Sequence, residues 1–553
     1  MTETERIWWK EAVVYQIYPR SFKDINGDGI GDLRGIISRI DYISSLGVDV
    51  IWLNPIFSSP NDDNGYDISN YRDIMSDFGT MDDFDELIKG LHSKGIRLVL
   101  DLVVNHSSDE HPWFISSRSD RNSKYRDYYH WWPEEKGTPP HRFSIFDVDN
   151  DAWMYDETTR AWYLHYFSRK QPDLNWENPE LREEIYDTMR FWFNKGVDGF
   201  RMGVISFISK DISFPETGFV QEQQFLQYYA KGPRLHEYLR EMNREVLQHY
   251  DIMTIAEGAG VKAEDALSFV DPDRKELNML YHFEGSDIRK SPDYQDPSFD
   301  LLLFKEVYSR WDKIYETRGW GTVYLGNHDQ PRMVSRWGND SAQFRIVSSK
   351  MLMTFLLSMR ATPYFYAGDE LAMANIRFQR IDDYNDLAVL NRYRKIMSEG
   401  GDPAEFLDEM MEYSRDNGRT PFQWSSAKHA GFTSAEPWLK VNPDYLQFNA
   451  EDQEHDPSSP LNYFRNLIQL RKAHPALIYG SYTLLDPGNT KVYSYSRVMG
   501  KDTYIVLLNF SSAIASFNIP YSLQLSTVLT SNYSAPPSGA ELKPYEAAIV
   551  LLT

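Results

Sequence analysis

Eight short runs rich in β-branched and aromatic residues recur along the chain, with amphipathic stretches between them. The runs are Val13–Tyr18, Val48–Leu53, Ile96–Val104, Gly199–Ile205, Met253–Glu257, Met279–Phe283, Thr322–Gly326 and Pro363–Ala367. Helix-like segments such as Gly35–Leu46, Met81–Lys94, Pro179–Lys195, Arg234–His249 and Ser341–Met359 fill the intervals. Strands separated by helices need crossover connections and pair in parallel, most simply as a closed (β/α)8 barrel. A doubly wound open sheet is the alternative. It would carry a glycine-rich phosphate turn after an early strand, and none is present.

Two regions break the alternation. The connection from His106 to Gln171 holds many aromatics and prolines but little helical period, and at that length it reads as a small domain or a lid. After Pro475 the chain turns to short strand-like runs, Val492–Ser496, Thr503–Leu508 and Ala547–Leu552, with a turn cluster at Asp486-Pro487-Gly488. That pattern reads as a separate antiparallel β domain. The expected division is a barrel over 1–105 and 172–475, an inserted domain over 106–171 and a C-terminal domain over 476–553.

Several strand-like runs end in polar residues: Asn105-His106, Glu257, Asn327-His328-Asp329 and Gly368-Asp369-Glu370. In a barrel such ends converge on one face, where active sites are built. Glu257 and Asp329 are candidate paired carboxylates, and His106 and His328 are neutral donors suited to sugar hydroxyls. No Gly-x-Ser-x-Gly elbow is present, so serine hydrolysis is not expected. Composition points the same way. With 58 basic and 81 acidic residues the net charge is −23, which disfavours nucleic acid and anionic membrane and favours a neutral substrate. Aromatics make up 15% of the chain, enough for sugar-stacking faces as well as core, and the absence of cysteine excludes a zinc-thiolate site and a cysteine nucleophile. No apolar run is long enough to span a bilayer, and the start Met1-Thr2-Glu3-Thr4-Glu5 lacks the basic and apolar regions of a signal peptide. The expectation is a cytoplasmic protein, a monomer or weak homodimer, acting on a small oligosaccharide without an organic cofactor.

The stretch Gly199-Phe200-Arg201-Met202-Gly203-Val204-Ile205 is unusual. Arg201 sits in a buried strand, where a charge is costly unless paired. Position 203 shares its face by the period-2 rule and would be the natural seat of a carboxylate. It is glycine. Either the backbone is closely approached there, or a functional side chain is missing. A second signal is Asp24-Ile25-Asn26-Gly27-Asp28-Gly29-Ile30-Gly31-Asp32, where oxygen-bearing side chains alternate with glycines as in loops that wrap a hard cation, calcium above all.

On these and further residues the chain resembles glycoside hydrolase family 13, the α-amylase family, in its oligo-1,6-glucosidase and α-glucosidase branch. The matching motifs run over nearly the whole chain: Tyr15-Gln16-Ile17-Tyr18-Pro19-Arg20-Ser21-Phe22, Asp63-Asn64-Gly65-Tyr66-Asp67, Asp101-Leu102-Val103-Val104-Asn105-His106, Gln171-Pro172-Asp173-Leu174-Asn175, Gly199-Phe200-Arg201-Met202, Asn327-His328-Asp329 and Ser414-Arg415-Asp416-Asn417-Gly418-Arg419-Thr420-Pro421. The resemblance implies an α/β fold, a (β/α)8 TIM barrel with a lid domain inserted after strand 3 and a C-terminal antiparallel β-sandwich. It implies that Glu257 is the general acid/base and Asp329 the carboxylate that grips the sugar. Asp63, Tyr66, His106, Phe167, Gln171, Arg201, His328 and Arg419 would line the glucosyl subsite, with Arg415 and Arg419 both eligible to reach the sugar. Val204 resembles the α-1,6-preferring version of its position. A structural calcium would sit on Asp24, Asn26, Asp28, Asp32 and the Ile30 carbonyl.

The departure is Gly203, where the family carries its nucleophilic aspartate. Retaining hydrolysis needs two carboxyl groups about 5–5.5 Å apart, and loss of a nucleophile costs on the order of 10⁶ in rate. The chain as written is therefore expected to bind substrate and barely turn it over. It would be an engineered variant suited to trapping substrate or to synthase chemistry, a natural pseudoenzyme, or an enzyme with a rerouted mechanism. A sucrose isomerase or glucosyltransferase built on the same site is the alternative activity, and a non-catalytic sugar-binding relative is the alternative class. Asp287–Tyr294 lacks the arginine-aspartate motif that sucrose isomerases carry.

Overall fold

The computed structural model describes residues 6–147, 151–288, 299–522, 526–535, 537 and 539–552. All eight expected strands form: β1 (Val14–Ile17), β2 (Val50–Leu53), β3 (Arg97–Val103), β4 (Gly199–Gly203), β5 (Met253–Gly258), β6 (Met279–His282), β7 (Thr322–Val323) and β8 (Thr362–Tyr366). They pair in parallel in the order β6-β5-β4-β3-β2-β1-β8-β7. A further parallel bridge between Leu280 and Gly321 joins the two ends and closes the barrel.

Helices follow the strands as the amphipathic pattern requires. The helix Pro179–Asn194 starts where the Asn178 side chain accepts from the N–H groups of Glu180 and Leu181 and where proline occupies the first helical position. Its buried face includes Leu181, Ile185, Met189 and Trp192, spaced to lie against the sheet. Several sequence readings shorten, Thr322–Gly326 to Thr322–Val323 among them. The segment Gly35–Leu46 is broken into Leu33–Ile37 and Ile40–Leu46, and the fourth strand stops at Gly203 because Val204 turns to φ 39°.

Alternation along the strands fills the barrel interior in layers. Val14, Val50, Val99, Met253 and Met279 form the lower packing, and Trp52, Ile255, Tyr281 and Tyr364 lie above it. The next inward positions are polar, among them Gln16, Asp101, Arg201 and Glu257, all buried. The register of β3 on β4 sets Asp101 beside Arg201 and Val103 beside Gly203. The strand alternation thus leads from an aromatic floor to a charged layer with no loop involved.

Three loop units cover this end of the barrel. After β2 a two-stranded hairpin, Phe57–Ser58 with Asn70–Ile74, carries the turn of Asp63 and Tyr66. After β3 the segment 106–171 folds into the helix Pro112–Ser119 and a three-stranded antiparallel sheet of Trp131–Pro133, Ala161–Leu164 and Trp153–Asp156. It is tied back by bridges His106–Asp173 and Tyr129–Leu174. After β8 the helices Leu387–Ser398 and Ala404–Tyr413 pack on a small apolar cluster of their own, with Phe378, Tyr384, Val389, Phe406 and Leu439 at its centre. The sequence reading did not anticipate this third unit.

The C-terminal domain is an antiparallel sheet of β9 (Ser481–Leu485), β10 (Val492–Met499), β11 (Asp502–Asn509), β12 (Ser526–Ser531) and β13 (Ala547–Leu552), ordered β9-β10-β11-β13-β12. A two-stranded piece, Ala515–Ser516 with Glu541–Leu542, completes the sandwich over Val492, Ile505, Leu507, Ala548 and Val550. Its junction with the barrel is held by Arg471 and Arg497, both fully buried. Arg471 donates to the carbonyls of Leu357, Met359, Leu477 and Ala361 at 2.7–3.0 Å. No helix among the described residues is long and apolar enough to cross a membrane. Because each buried carbonyl left without a donor costs about 1–3 kcal/mol, Arg471→Met is expected to lower stability by about 3 kcal/mol or more. A fall in thermal unfolding temperature with the barrel's far-ultraviolet circular dichroism retained at low temperature checks this.

Candidate active site

The charged layer opens into a cavity of about 440 Å³ at the C-terminal end of the barrel. Asp63, Tyr66, His106, Phe167, Arg201, Gly203, Val204, Glu257 and Asp329 line it, together with Phe146 and Arg415. Nine of the sequence-derived site residues therefore share one wall. His328, Gln171 and Arg419, expected to line the sugar subsite, are instead fully buried behind that wall.

Local geometry explains each placement. Asp67 is buried and accepts from the N–H groups of Asp62 and Asp63, and Gly65 takes φ 98°, so the turn presents Asp63 and Tyr66 together. The Tyr66 hydroxyl donates to Asp101 at 2.9 Å, and its ring stacks on His328 at 5.3 Å with the planes 7° apart. Gln16 donates to His328 Nδ1 at 2.8 Å, which leaves the proton on Nε2, facing Tyr66 at 2.7 Å and Asp329 at 3.1 Å. Gln171 donates to Asp63 at 3.2 Å and lies 3.3 Å from His106 Nε2. Burial holds His106 down at about 3 and lowers His328 too, so both rings are neutral near pH 7.

The arginine question resolves. Arg419 donates to the His328 carbonyl at 2.9 Å and to Asp329 Oδ1 at 2.8 Å, but it is closed off from the cavity. Arg415 is on the wall. It reaches Asp329 at 3.3 Å, forms a two-point pair with Asp386 at 2.6 and 2.9 Å, and lies 3.8 Å from Asp63. Asp386 caps the helix Leu387–Ser398, so the third loop unit sets the arginine.

Three carboxyl groups at this wall are driven apart electrically. Desolvation opposes charge on Asp329, but the hydrogen bond from the His328 ring and the charges of the Arg415 and Arg419 guanidinium groups overcome it and hold the group well below the usual range. Burial raises Glu257 despite its contacts with Arg201 and the Val204 N–H. Burial pushes Asp63 up to about 7. An ionised carboxylate facing a carboxyl that holds its proton is the pairing that acid-base chemistry at a glycosidic bond requires.

Arg201 binds these parts together. It donates to Asp101 at 3.0 Å and in close contact to Glu257, with its guanidinium 5.2 Å from the Trp52 ring centre. The Val204 N–H donates to Glu257 Oε2 at 2.6 Å, from a left-handed backbone that a β-branched residue rarely takes. Arg201, Val204 and Glu257 thus form one clamp.

The two glycines of β4 behave differently. A Cβ at Gly199 would lie 2.0 Å from the Met253 carbonyl oxygen, so the neighbouring strand demands glycine there. A Cβ at Gly203 would meet only side chains: Arg201 Nη1 at 3.0 Å, Val103 Cγ2 at 3.7 Å and Glu257 Oε2 at 3.9 Å. A small shift of one guanidinium admits it. Close backbone approach explains Gly199 and does not explain Gly203.

Elsewhere the predicted residues serve structure. Glu370 accepts from the Tyr15 and Tyr42 hydroxyls at 2.6 and 2.8 Å, and Asp369 accepts from the Tyr366 N–H, and neither lines the cavity. In the 24–32 loop every carboxylate oxygen of Asp24, Asp28 and Asp32 accepts a hydrogen bond from within the loop or its neighbours. Sequence reasoning missed Gln16, Asn54, Asp101 and Asp386, of which Asp386 carried a readable signal as the residue just before a helical stretch. Residues 289–294 of the segment compared with sucrose isomerases lie outside the described residues, as do Met1–Glu5.

Comparison with known proteins agrees with this geometry. Residues 16–480 match the alpha amylase, catalytic domain, family. The oligo-1,6-glucosidase of Parageobacillus thermoglucosidasius is 49% identical over 558 residues, covering 99% of each chain. That of Bacillus cereus is 47% identical over 561 residues, covering 99% of this chain and 100% of the other. The crystal structure of an isomaltulose synthase from Klebsiella sp. LX3 superposes with a TM-score of 0.95 at 43% identity, covering 100% of both.

Buried carboxyls give a pH dependence of stability. Asp369, pushed up to about 7 by burial, binds its proton more tightly when folded than when unfolded. Stability is therefore highest at acid pH and falls as pH rises from the ordinary carboxyl range to about 7. Asp369→Asn keeps an acceptor for the Tyr366 N–H and cannot ionise. It is expected to flatten that slope and to raise stability above neutrality by up to about 4 kcal/mol, read from unfolding temperatures at acid and alkaline pH.

Proposed function

The chain belongs to the alpha-amylase family of glycoside hydrolases, among the oligo-1,6-glucosidases and α-glucosidases, and from that premise we propose that its site is that of a retaining exo-acting α-glucosidase or transglucosidase for short α-glucosides, isomaltose-type oligosaccharides first, with the nucleophile's seat taken by Gly203. The observation that carries this reading is the clamp around position 203. A side chain there would point into the cavity between Arg201 and Glu257, and its Cβ would lie 3.9 Å from Glu257 Oε2. A carboxyl group built on that Cβ comes within reach of the separation of about 5–5.5 Å that retaining chemistry uses.

The remaining residues supply the other parts. Glu257, whose proton affinity burial raises, donates to the leaving glycosidic oxygen and later takes a proton from the incoming acceptor. Asp329, ionised and anchored by Arg419, accepts sugar hydroxyls and offsets the positive charge that grows at the anomeric carbon. Tyr66 and Phe167 supply apolar faces for the ring, and Asp63 with Arg415 closes the pocket's end. With glycine at 203 the first step has no internal partner, so the protein holds substrate and turns it over very slowly. Cytoplasmic residence belongs to the same proposal.

A second reading is sucrose isomerisation, favoured by the fit to the isomaltulose synthase structure. The two readings share the first step and differ in whether water or the released sugar completes the second.

Restoring the carboxylate tests the proposal. Gly203→Asp is expected to raise hydrolysis of 4-nitrophenyl α-glucoside and isomaltose by several orders of magnitude, up to the order of 10⁶, with α-glucose as the first product. Isomaltulose from sucrose in the same assay would favour the second reading. An inert aspartate form that still binds sugars would remove both and leave a sugar-binding relative.

We also propose calcium at the 24–32 loop. The donor set is all oxygen, and Asp24 and Asp32 are buried. None of Asp24, Asp28 and Asp32 forms an ion pair among the described residues, so their charge is free to be met by a hard cation. Their side chains are not gathered closely enough to hold a metal ion as they stand, and binding would draw the loop in. Chelation is expected to lower the unfolding temperature by a few degrees and added calcium to restore it. Unchanged melting after chelation would show that the hydrogen bonds alone hold the loop.

A further inference from the structure

Behind the cavity wall runs a buried hydrogen-bond network whose polarity is fixed atom by atom. Arg201 donates to Asp101 Oδ1 at 3.0 Å, and a carboxylate paired in this way only accepts. Asp101 Oδ2 takes the Tyr66 hydroxyl hydrogen at 2.9 Å and an Asn54 amide hydrogen at 3.2 Å. Asn54 Nδ2 also donates to the Tyr66 oxygen at 2.8 Å, so its Oδ1 is left to face Gln16, whose Nε2 donates to it at 2.8 Å. The second hydrogen on Gln16 Nε2 goes to His328 Nδ1, again at 2.8 Å. An amide nitrogen cannot accept, so Nδ1 stays bare and the ring carries its proton on Nε2. Tyr66 imposes the same answer from the other side. Its own hydrogen is committed to Asp101, so at 2.7 Å from Nε2 its oxygen can only accept. Gln16, Asn54 and Asp101 are 1% exposed and His328 is 0% exposed, so bulk solvent does not re-pair these groups.

We propose that Gln16 and Asn54 are positioning residues for Asp329: they carry the donor-acceptor polarity set by the Arg201–Asp101 pair across to His328, and so aim its Nε2 hydrogen at the Asp329 carboxylate. Neither residue lines the cavity, so both act through others. The role given to Asp329 rests on the glucosidase reading above; the polarity of the network does not.

Asp329 shows why the tautomer matters. Its Oδ2 lies 3.1 Å from His328 Nε2, while Oδ1 takes Arg419 at 2.8 Å and Arg415 at 3.3 Å. One oxygen is therefore held by two cations and the other by the ring. With the proton on Nδ1 instead, the Nε2 lone pair would face Oδ2, and the carboxylate would turn away from the ring or take up a proton. Tyr66 would lose a donor at the same time. The amide of Gln16 cannot flip to permit this, because Asn54 Oδ1 would then meet an oxygen. Asn54 cannot flip either, because Asp101 would meet one. One ion pair on β3 and β4 thus decides, three residues away, how a cavity carboxylate is held.

The test is nitrogen-15 NMR of the full chain labelled in its histidines, with the His328 signals identified by their loss in His328→Asn. The expected result is a bare Nδ1 and a protonated Nε2. Gln16→Glu replaces the donor by a carboxylate acceptor and should bring a proton onto Nδ1. Gln16→Met, similar in length but without a donor, should leave both tautomers populated. Combined with Gly203→Asp, each substitution is expected to lower kcat/KM for 4-nitrophenyl α-glucoside by about 10- to 100-fold, the range for partners that orient a site from behind. The loss should fall mainly on kcat, because the Asp329 charge counts most as positive charge grows at the anomeric carbon. A proton on His328 Nδ1 in the unsubstituted protein would overturn the proposal, whether or not the variants fold. So would a Gln16→Glu protein that melts earlier yet keeps Nδ1 bare and kcat unchanged, which is what a purely structural glutamine would give. If Gly203→Asp is itself inert, the glucosidase reading fails, and the ring signals still decide the polarity of the network.

Discussion

The buried guanidinium of Arg201 is the constraint around which the site is arranged. A charge in the interior of a barrel is tolerable only with carboxylate partners and full hydrogen bonding. The β3–β4 register provides Asp101 at the matching position, and the next strand provides Glu257. Below lies the aromatic floor, where Trp52 faces the guanidinium. Slipping either strand by one residue would turn Asp101 or Arg201 outward and leave a single buried charge. Barrel register and active-site electrostatics are thus one condition, met by the same residues.

From that cluster outward, the loop units divide the work. The turn after β2 sets Asp63 and Tyr66, and the domain after β3 brings Phe167 and Gln171. The unit after β8 brings Arg415, already held by Asp386 at its helix cap. Asp329 is left as the ionised member because two arginines from that last unit converge on it. Burial raises the proton affinity of Glu257 and pushes Asp63 up to about 7 against their cationic neighbours. A single cavity therefore presents carboxyl groups in opposite protonation states at one pH.

Much of this was legible in the chain itself, for physical reasons that also mark where legibility stops. The eight strands showed because buried parallel strands are nearly continuous apolar runs, and polar residues at their C-terminal ends fall on one face by topology alone. The unit containing Leu387–Ser398 and Ala404–Tyr413 was not seen, because its core is a small separate cluster in which the two helices fully bury only Val389 and Phe406. Arg415 and Arg419 are four residues apart in one motif, and only the fold shows that one faces the cavity and the other backs it. Asp101 appeared within a matched motif, yet its pairing with Arg201 is a fact of register. Gly199 and Gly203 are indistinguishable as letters, and the Met253 carbonyl separates them.

That last contrast bears on what the glycine does for the molecule. Arg201 now meets two carboxylates, and a third at position 203 would crowd one guanidinium with like charges and compete with Glu257 for it. Such a site gains reactivity from the competition: a carboxylate that takes Arg201 for itself leaves Glu257 less bound and readier to hold a proton. It also gives up stability, since the extra buried charge must be desolvated and is only partly paired. With glycine the same strand settles into the quieter arrangement, in which Arg201 and the Val204 N–H close on Glu257 and the acid is held without a nucleophile to serve. The strained backbone of Val204 persists all the same. Strain kept at a clamp that has lost its reaction partner fits a site shaped for catalysis in which position 203 alone departs from the design.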